Sequence, residues 1–190
     1  MPSGGADGAA LPVTLTVAAA SQMRALGRAL AAQLRAGDLV ILSGGLGAGK
    51  TTLTQGIGDG LGVRGPITSP TFVIARVHPP LRRDGSTAPP GGQRPALVHA
   101  DAYRLGSALE LDDLDLDTDT SSSVTVVEWG EGLAEGLATD RLEIAIAPDT
   151  GSGGDLDDMT ADRARTVRIS AVGERWEGIK LPLADLADRL

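Results

Sequence analysis

The sequence contains no cysteine and no asparagine. Without cysteine the chain has neither a disulfide framework nor a thiolate metal site, and catalysis by a Cys nucleophile is excluded. Without asparagine the N-K-x-D motif that reads guanine cannot occur in its usual form. No apolar run approaches the roughly 20 residues of a membrane-spanning helix, and the N-terminal MPSGGADGAALP lacks the regions of a signal peptide. These absences predict a soluble, cytoplasmic protein.

Negative charge dominates the composition. The formal net charge is −8, and seven acids lie within residues 101–119, where Arg104 is the only base. A protein that grips nucleic acid by itself neutralises phosphates with Lys and Arg side chains. The charge therefore argues against direct binding of nucleic acid by this chain.

The length of 190 residues suits a single domain. We expect residues 1–10 to form a flexible tail and residues 11–190 to form one domain. Within that domain, HPPLRRDGSTAPPGGQRP (78–95) has five prolines, three glycines and no periodic apolar pattern. Such a segment buries too little to order itself, which predicts a mobile loop between two strands.

Strands and helices alternate in the first half of the chain. LPVTLTV (11–17) and the apolar run LVIL (39–42) are predicted strands. Ser21 is predicted to cap a helix that runs to about Ala36 before Gly37 ends it. A glycine-rich turn and a second helix, ending at Gly62, follow LVIL. The apolar faces of the two helices carry Met23, Leu26, Leu30 and Leu34, and Leu53, Ile57 and Leu61.

The second half of the chain is richer in strands. A short acidic helix is expected between 101 and 124, and DTGSGGDLDD (149–158) is a predicted turn. In the last two predicted strands, RLEIAIA and ARTVRIS, apolar and polar residues alternate with a period of two, which is typical of antiparallel strands that partly face water. The predicted strands are TFVIARV (71–77), ALVHAD (96–101), VTVVEW (124–129), RLEIAIA (141–147) and ARTVRIS (164–170).

The glycine-rich turn is a phosphate-binding motif. Gly44, Gly49, Lys50 and Thr51 satisfy G-x-x-x-x-G-K-[ST] between a buried strand and a helix, as the motif requires. Glycines let successive backbone N–H groups point at phosphates, and the helix adds the positive end of its dipole. Lys50 is expected to reach the β and γ phosphates, and the Thr51 hydroxyl to ligate Mg²⁺. The fold class is predicted as α/β, a P-loop NTPase-like three-layer sandwich with a mixed, mostly parallel central sheet that ends in antiparallel strands.

A bound triphosphate also needs a carboxylate for Mg²⁺ and a group that orients the attacking water. Asp101 and Glu128 each end an apolar run, and parallel strands beside the P-loop strand would bring both to the carboxyl edge of the sheet. Either could be the metal-side acid. Thr71 in TSPTF (68–72) is the candidate contact to the γ-phosphate, although a Ser-Pro turn that starts a strand explains these residues equally well.

Two other side chains lie beside these acids in the sequence. His99 is expected on the same side of its strand as Asp101; with only His78 elsewhere, it is expected to be a packed, hydrogen-bonded residue rather than part of a histidine metal cluster. Trp129 suits either the site or the core.

Together these motifs resemble the TsaE family, formerly called YjeE, the ATPases of tRNA threonylcarbamoyladenosine biosynthesis. The resemblance covers about residues 12–171. It implies a P-loop protein that binds ATP with Mg²⁺ and acts with two partners, TsaB and TsaD. TsaD, not this chain, would transfer the threonylcarbamoyl group to adenosine 37 of tRNAs that read codons beginning with A, and tRNA would be held mainly by the partners. The motifs that carry the resemblance are GGLGAGKTT (44–52), SPTF (69–72), HADAYRL (99–105) and VEW (127–129).

The resemblance also implies roles for individual residues. Asp101 and Thr71 would lie near the γ-phosphate, and Thr51 and Glu128 would hold Mg²⁺. The segment around Val17 to Ser21 would lie near the adenine. The catalytic candidates are Lys50, Asp101, Glu128 and Thr71, and the nucleotide-binding candidates are Gly45, Leu46, Gly47, Ala48, Gly49, Lys50, Thr51 and Thr52.

One position departs from the family pattern. The family usually has an acid where this chain has Gly45, as in G-D-L-G-A-G-K-T. The loss of that carboxylate leaves the phosphate cradle intact but puts Mg²⁺ binding or hydrolysis in doubt.

Three other functions use the same cradle. A small-molecule or nucleoside kinase would need a basic lid over the phosphates, and the only basic cluster between the motifs is Arg82, Arg83 and Arg94. A GTP switch is disfavoured because the chain has no asparagine. A binding module with negligible hydrolysis stays open.

Overall fold

The structure, a computed structural model, describes residues 9–70, 75–81, 94–103, 121–148 and 164–181. The described helices are α1 (Ala20–Ala31) and α2 (Lys50–Leu61), with short 3₁₀ helices at Glu135–Leu137 and Glu174–Trp176. The described strands are β1 (Ala9–Ala10), β2 (Val13–Val17), β3 (Leu39–Ser43), β4 (Ala75–His78), β5 (Ala96–Asp101), β6 (Ser123–Glu128), β7 (Arg141–Pro148), β8 (Arg165–Val172) and β9 (Lys180–Leu181).

Seven strands form the main sheet, in the order β2-β8-β7-β3-β6-β5-β4. The four central strands β7, β3, β6 and β5 run parallel. Antiparallel strands form both edges, β4 against β5 on one side and β8 and β2 beyond β7 on the other. The mixed sheet with a parallel centre confirms the predicted α/β fold. The sequence did not predict the separate two-stranded sheet of β1 and β9.

The central strand β3 is buried on both faces, which explains why it is a continuous apolar run. Val40 and Leu42 pack into the core beneath the two α-helices. Leu39 and Ile41 pack into a second core on the other face, which includes the buried Ala134. In the described part of the chain, the segment that contains the first 3₁₀ helix thus provides the third layer.

The helices α1 and α2 pack closely against each other, and glycines set the distance. A Cβ on Gly27 would lie 2.4 Å from the carbonyl oxygen of Leu53, and a Cβ on Gly56 would lie 2.2 Å from the carbonyl oxygen of Arg24. Both distances are shorter than any normal van der Waals contact of a Cβ atom. The atoms met belong to the backbone, which cannot rotate away as a side chain can. The approach of α1 to the helix that follows the phosphate motif therefore depends on glycine.

The predicted start and end of α1 are wrong, although its apolar face is right. The N-cap is Ala19 rather than Ser21, and Gln22 takes the capping role because its Oε1 accepts the N–H groups of Ala18 at 2.6 Å and Ala19 at 3.1 Å. The helix ends at Ala31 rather than Ala36, since the chain already turns towards β3, where Asp38 accepts the Arg35 N–H at 2.8 Å. The predicted apolar residues are all buried, namely Met23, Leu26, Leu30 and Leu34.

Several predictions fall wholly or partly outside the described residues. They concern the tail 1–10, the loop 78–95, the acidic helix after Asp101 and the turn 149–158. The predicted strand 71–77 is described from Ala75 onward. None of the described helices is long and apolar enough to cross a membrane.

We predict that Gly56→Ala lowers the free energy of unfolding by about 1–3 kcal/mol, because the added methyl group forces α1 away from α2. This loss would appear even though alanine is the better helix former. Urea unfolding measures the change. Gly136→Ala is the matched control, since nothing lies within 4 Å of a Cβ at that position. Equal midpoints for the two variants would show that the helix contact does not limit stability.

Candidate nucleotide-binding site

The predicted phosphate loop connects β3 to α2 and has a backbone that requires glycine. Gly44, Gly47 and Gly49 have φ angles of 142°, 72° and 110°, which L-residues with a Cβ rarely adopt. A Cβ on Gly44 would also lie 2.3 Å from the carbonyl oxygen of Ile146 in β7. The loop is therefore shaped by β7 on one side and is open elsewhere, with Gly45, Leu46 and Gly47 exposed.

The helix α2 begins at Lys50, directly after the loop. The N–H groups of its first turn have no carbonyl four residues earlier in the helix, and its dipole is positive at this end. Thr51 and Thr52 lie in that first turn. The loop and the helix start thus combine backbone N–H groups and a helix N-terminus, an arrangement that binds phosphate in other proteins.

The Lys50 side chain is buried and folds back over the loop. Its Nζ donates hydrogen bonds to the carbonyl oxygens of Gly44 at 2.7 Å and Gly45 at 2.9 Å. The same nitrogen lies 3.7 Å from the centre of the Trp129 ring. Burial lowers the pKa of Lys50, and the negative charges of Glu128 and Asp101 oppose that shift. The ammonium group is therefore held at the loop by two carbonyl oxygens and an aromatic ring, within the influence of two negative charges.

Glu128 ends β6 beside the start of α2, and its buried carboxylate joins the two elements. The Thr51 hydroxyl donates to Glu128, with Oγ1 at 2.9 Å from Oε1 and 3.2 Å from Oε2. The Nε2 of His99 lies 2.8 Å from the same Oε1. Of the two candidate acids, Glu128 is thus the one that contacts the phosphate-loop helix.

Asp101 ends β5 and lies opposite Glu128 in the parallel register. Its Oδ2 accepts a hydrogen bond from Ser69 Oγ at 3.2 Å, and its Oδ1 accepts the Tyr103 N–H at 2.9 Å. The prediction that both acids lie at the carboxyl edge of the sheet is confirmed, but it placed both strands beside β3, whereas β6 pairs with β3 and β5 lies one strand further away. Local apolar patterns do not contain strand order, which explains this error.

Trp129 belongs to the site rather than to the core. It has a φ of 59°, the only positive value among the non-glycine residues that the structure describes. Its backbone N–H donates a hydrogen bond to the Leu42 carbonyl oxygen at 2.8 Å, which holds the chain against the end of β3. The ring contacts Lys50 on one side and the Tyr103 ring, at 5.0 Å between centroids, on another. The left-handed backbone thus turns the ring towards the phosphate loop.

The junction of β2 and α1 lies next to the phosphate loop. A Cβ on Gly49 would lie 3.4 Å from Met23 Cε in α1 and 3.8 Å from Arg165 Cδ in β8. Val17, the last residue of β2, pairs with Arg165. Met23 and Arg165, the strand partner of Val17, therefore lie beside the loop, and the adenine site that the resemblance implies around Val17 to Ser21 stays a prediction.

The structure brings together most of the predicted site residues and adds others. Lys50, Thr51 and Glu128 meet at the loop, and Asp101 lies close enough to influence Lys50 electrostatically. Thr71 lies outside the described residues, so its role stays a prediction. The prediction that His99 is packed and hydrogen-bonded is confirmed, but the sequence did not identify Glu128 as its partner, nor the contact of Ser69 with Asp101.

The oxygen atoms of Thr51 and Glu128 suit Mg²⁺. Two ligands at right angles around Mg²⁺, each about 2.1 Å away, are about 3.0 Å apart. The hydroxyl and the two carboxylate oxygens are separated by 2.9 and 3.2 Å. No group of three or more metal-binding side chains occurs in the part of the chain that the structure describes. Mg²⁺ at nucleotides usually takes its other ligands from phosphate oxygens and water.

A family model described as "Threonylcarbamoyl adenosine biosynthesis protein TsaE" matches residues 17–154. The chain belongs to the TsaE family. The matched range spans the phosphate loop and the ends of β5 and β6, so the resemblance inferred from the motifs is confirmed.

Individual TsaE proteins match over most of their length. The tRNA threonylcarbamoyladenosine biosynthesis protein TsaE of Streptomyces coelicolor is 58% identical over 155 residues, which cover 81% of this chain and 93% of that protein. The protein of the same name from Bacillus subtilis is 34% identical over 157 residues, with coverages of 82% and 84%. The crystal structure of YdiB from Bacillus subtilis has a TM-score of 0.61 at 29% identity and covers 93% of this chain and 95% of that chain.

We predict that Lys50→Ala weakens ATP binding by at least about tenfold, because it removes the cation that would contact the phosphates. Isothermal titration calorimetry measures the affinity of each variant for ATP. Lys180→Ala is the matched control, since Lys180 is the only other lysine in the sequence and is exposed on β9. Equal affinities for the two variants would contradict the assignment of the phosphate cradle.

Proposed function

We propose that this TsaE protein binds ATP with Mg²⁺ and hydrolyses it in support of TsaB and TsaD, which threonylcarbamoylate adenosine 37 of tRNAs that read codons beginning with A. The observation that carries the proposal is the contact of Thr51 with Glu128, which joins the phosphate-loop helix to a buried carboxylate. The biological role is supported by the TsaE family match and by the names of its relatives.

Phosphate binding in this proposal is the task of the loop and of Lys50. Backbone N–H groups from Gly47 to Thr52 bind the phosphate oxygens, and the start of α2 adds its dipole. Lys50 exchanges the carbonyl oxygens of Gly44 and Gly45 for the β and γ phosphates. That exchange moves the ammonium group from neutral acceptors to charged ones, which bind it more strongly. The absence of asparagine favours adenine over guanine as the base.

Metal binding is assigned to Thr51 and Glu128. Mg²⁺, when bound, supplies charge stabilisation for the phosphoryl group that is transferred. Thr51 and Glu128 are preorganised for it, because the helix start and the strand end already hold their oxygens at the separation of neighbouring ligands.

Asp101 is assigned to the attacking water. Its hydrogen bonds with the Ser69 hydroxyl and the Tyr103 N–H fix the carboxylate. Phosphoryl transfer depends mainly on positioning, so a carboxylate held by two donors one strand away from the metal-side acid suits a role in orienting water. Thr71, two residues after Ser69, completes the proposal as the γ-phosphate contact.

Partner proteins are assigned to the open side of the phosphate loop. Leu46 is 90% exposed and Tyr103 is 63% exposed, and both lie at the border of the site. Exposed apolar and aromatic side chains of this kind suit a protein contact. The net charge of −8 does not suit a phosphate backbone, so tRNA would reach the complex through TsaB and TsaD.

We predict that Glu128→Gln and Asp101→Asn affect different steps. Glu128→Gln should raise the Mg²⁺ concentration for half-maximal ATP turnover by roughly tenfold or more, because a neutral amide is a poorer Mg²⁺ ligand. Asp101→Asn should lower kcat by roughly 100-fold at saturating Mg²⁺ with little change in the Mg²⁺ requirement. Steady-state assays across a Mg²⁺ series separate the two effects. The reverse pattern would exchange the roles of the two acids.

We predict slow phosphate release from ATP by the chain alone and faster release when TsaB and TsaD are added. A malachite-green assay measures the phosphate, and Lys50→Ala gives the background rate. Background release under both conditions, together with normal ATP binding, would support a nucleotide-dependent binding module instead. Transfer of phosphate to a small acceptor would support the kinase alternative.

A further inference from the structure

His99 is a buried polar residue to which the proposed function gives no task. It lies on β5, between β6 and the edge strand β4, and none of its side chain is exposed. Its Nε2 is 2.8 Å from Glu128 Oε1, a contact between residues that are 29 positions apart. A fully buried imidazole cannot reach solvent or a nucleotide, so its effect on the site must pass through Glu128.

The geometry of the contact indicates which atom carries the proton. An ionised carboxylate oxygen only accepts hydrogen bonds, so the contact requires a proton on Nε2. The other ring nitrogen, Nδ1, is buried and has no hydrogen-bond partner among the described residues. A proton there would be a buried donor without an acceptor, which is unfavourable. The contacts therefore place the proton on Nε2, the nitrogen that faces Glu128.

Two hydrogen-bond donors, Thr51 and His99, contact Glu128, but only His99 has no other role in the proposed site. The Thr51 hydroxyl is itself assigned to Mg²⁺, so its oxygen has to serve the metal as well. His99 contacts Oε1 only and leaves Oε2, which is 3.2 Å from Thr51 Oγ1. That separation is close to the distance of about 3.0 Å between neighbouring Mg²⁺ ligands.

We propose that His99 is a positioning residue for the metal site: its Nε2–H fixes Oε1 of Glu128 and so presents Oε2 to Mg²⁺ beside Thr51. The inference rests on the proposed function, because it assumes Glu128 as a Mg²⁺ ligand. Hydrogen-bond partners of metal ligands typically change metal affinity by roughly 10–100-fold when they are removed.

The test measures metal dependence without turnover. Binding of a non-hydrolysable ATP analogue to the full chain is titrated over a Mg²⁺ series and also in EDTA. His99→Leu should raise the Mg²⁺ concentration for half-maximal binding by roughly 10–100-fold, with binding in EDTA unchanged. His99→Gln, whose amide N–H can reach the same oxygen, should restore most of the Mg²⁺ dependence. Val98→Ala, a change in the core on the other face of the sheet, is the control for lost packing.

Specific results would overturn the inference. A folded His99→Leu with wild-type Mg²⁺ dependence would reduce His99 to a packing role. If His99→Leu does not fold, His99→Asn replaces it, because its amide is one methylene shorter than that of Gln and cannot reach Glu128; equal behaviour of Asn and Gln would then contradict the inference. In a Glu128→Gln background, loss of His99 should have no further effect on Mg²⁺. A wild-type chain without any Mg²⁺ dependence would instead contradict the proposed function itself.

Discussion

The buried carboxylate of Glu128 is the constraint on which the site depends. Removing a carboxylate from water costs several kcal/mol unless donors and counter-charges compensate. Here the compensation comes from Thr51 in α2, from His99 in β5 and from the charge of Lys50. Lys50 and Thr51 belong to the first turn of α2, and His99 belongs to β5. The carboxylate of Glu128 therefore links β6 to β5 and to the phosphate-loop helix α2.

The parallel centre of the sheet makes this convergence possible. Leu42 at the end of β3 is in register with Glu128, and Glu128 is in register with Asp101. Parallel neighbours bring their carboxyl ends to one edge, directly where the chain leaves β3 to form the phosphate loop. Trp129 continues from β6 in a left-handed conformation and closes that edge over Lys50. The tight glycine contacts between α1 and α2 hold the first turn of α2 in place from the other side.

The sequence was informative wherever a pattern is local. The strand and helix on either side of the glycine motif, the apolar run of β3 and the apolar face of α1 each follow from short spacings, and all three are confirmed. The cap of α1 was missed because Gln22, which is not a usual capping residue, reaches back to the backbone. Strand order and the His99–Glu128 contact were missed because they join segments far apart in the chain. The period of two predicts which face of the sheet a side chain lies on, but not which residue of another strand or helix it contacts.

Gly45 shows how the site of this chain differs from the family pattern. Unlike Gly44, it is not required by packing, because a Cβ at Gly45 would meet nothing within 4 Å and its φ is not positive. An acidic side chain would fit at this position, so glycine there changes the charge of the loop and is not required by packing. In the described residues the negative charges acting on Lys50 are those of Glu128 and Asp101. In the proposed function, the lack of a third carboxylate would lower the repulsion of a triphosphate but would offer Mg²⁺ one oxygen fewer, so more of the metal binding would fall to Thr51 and Glu128.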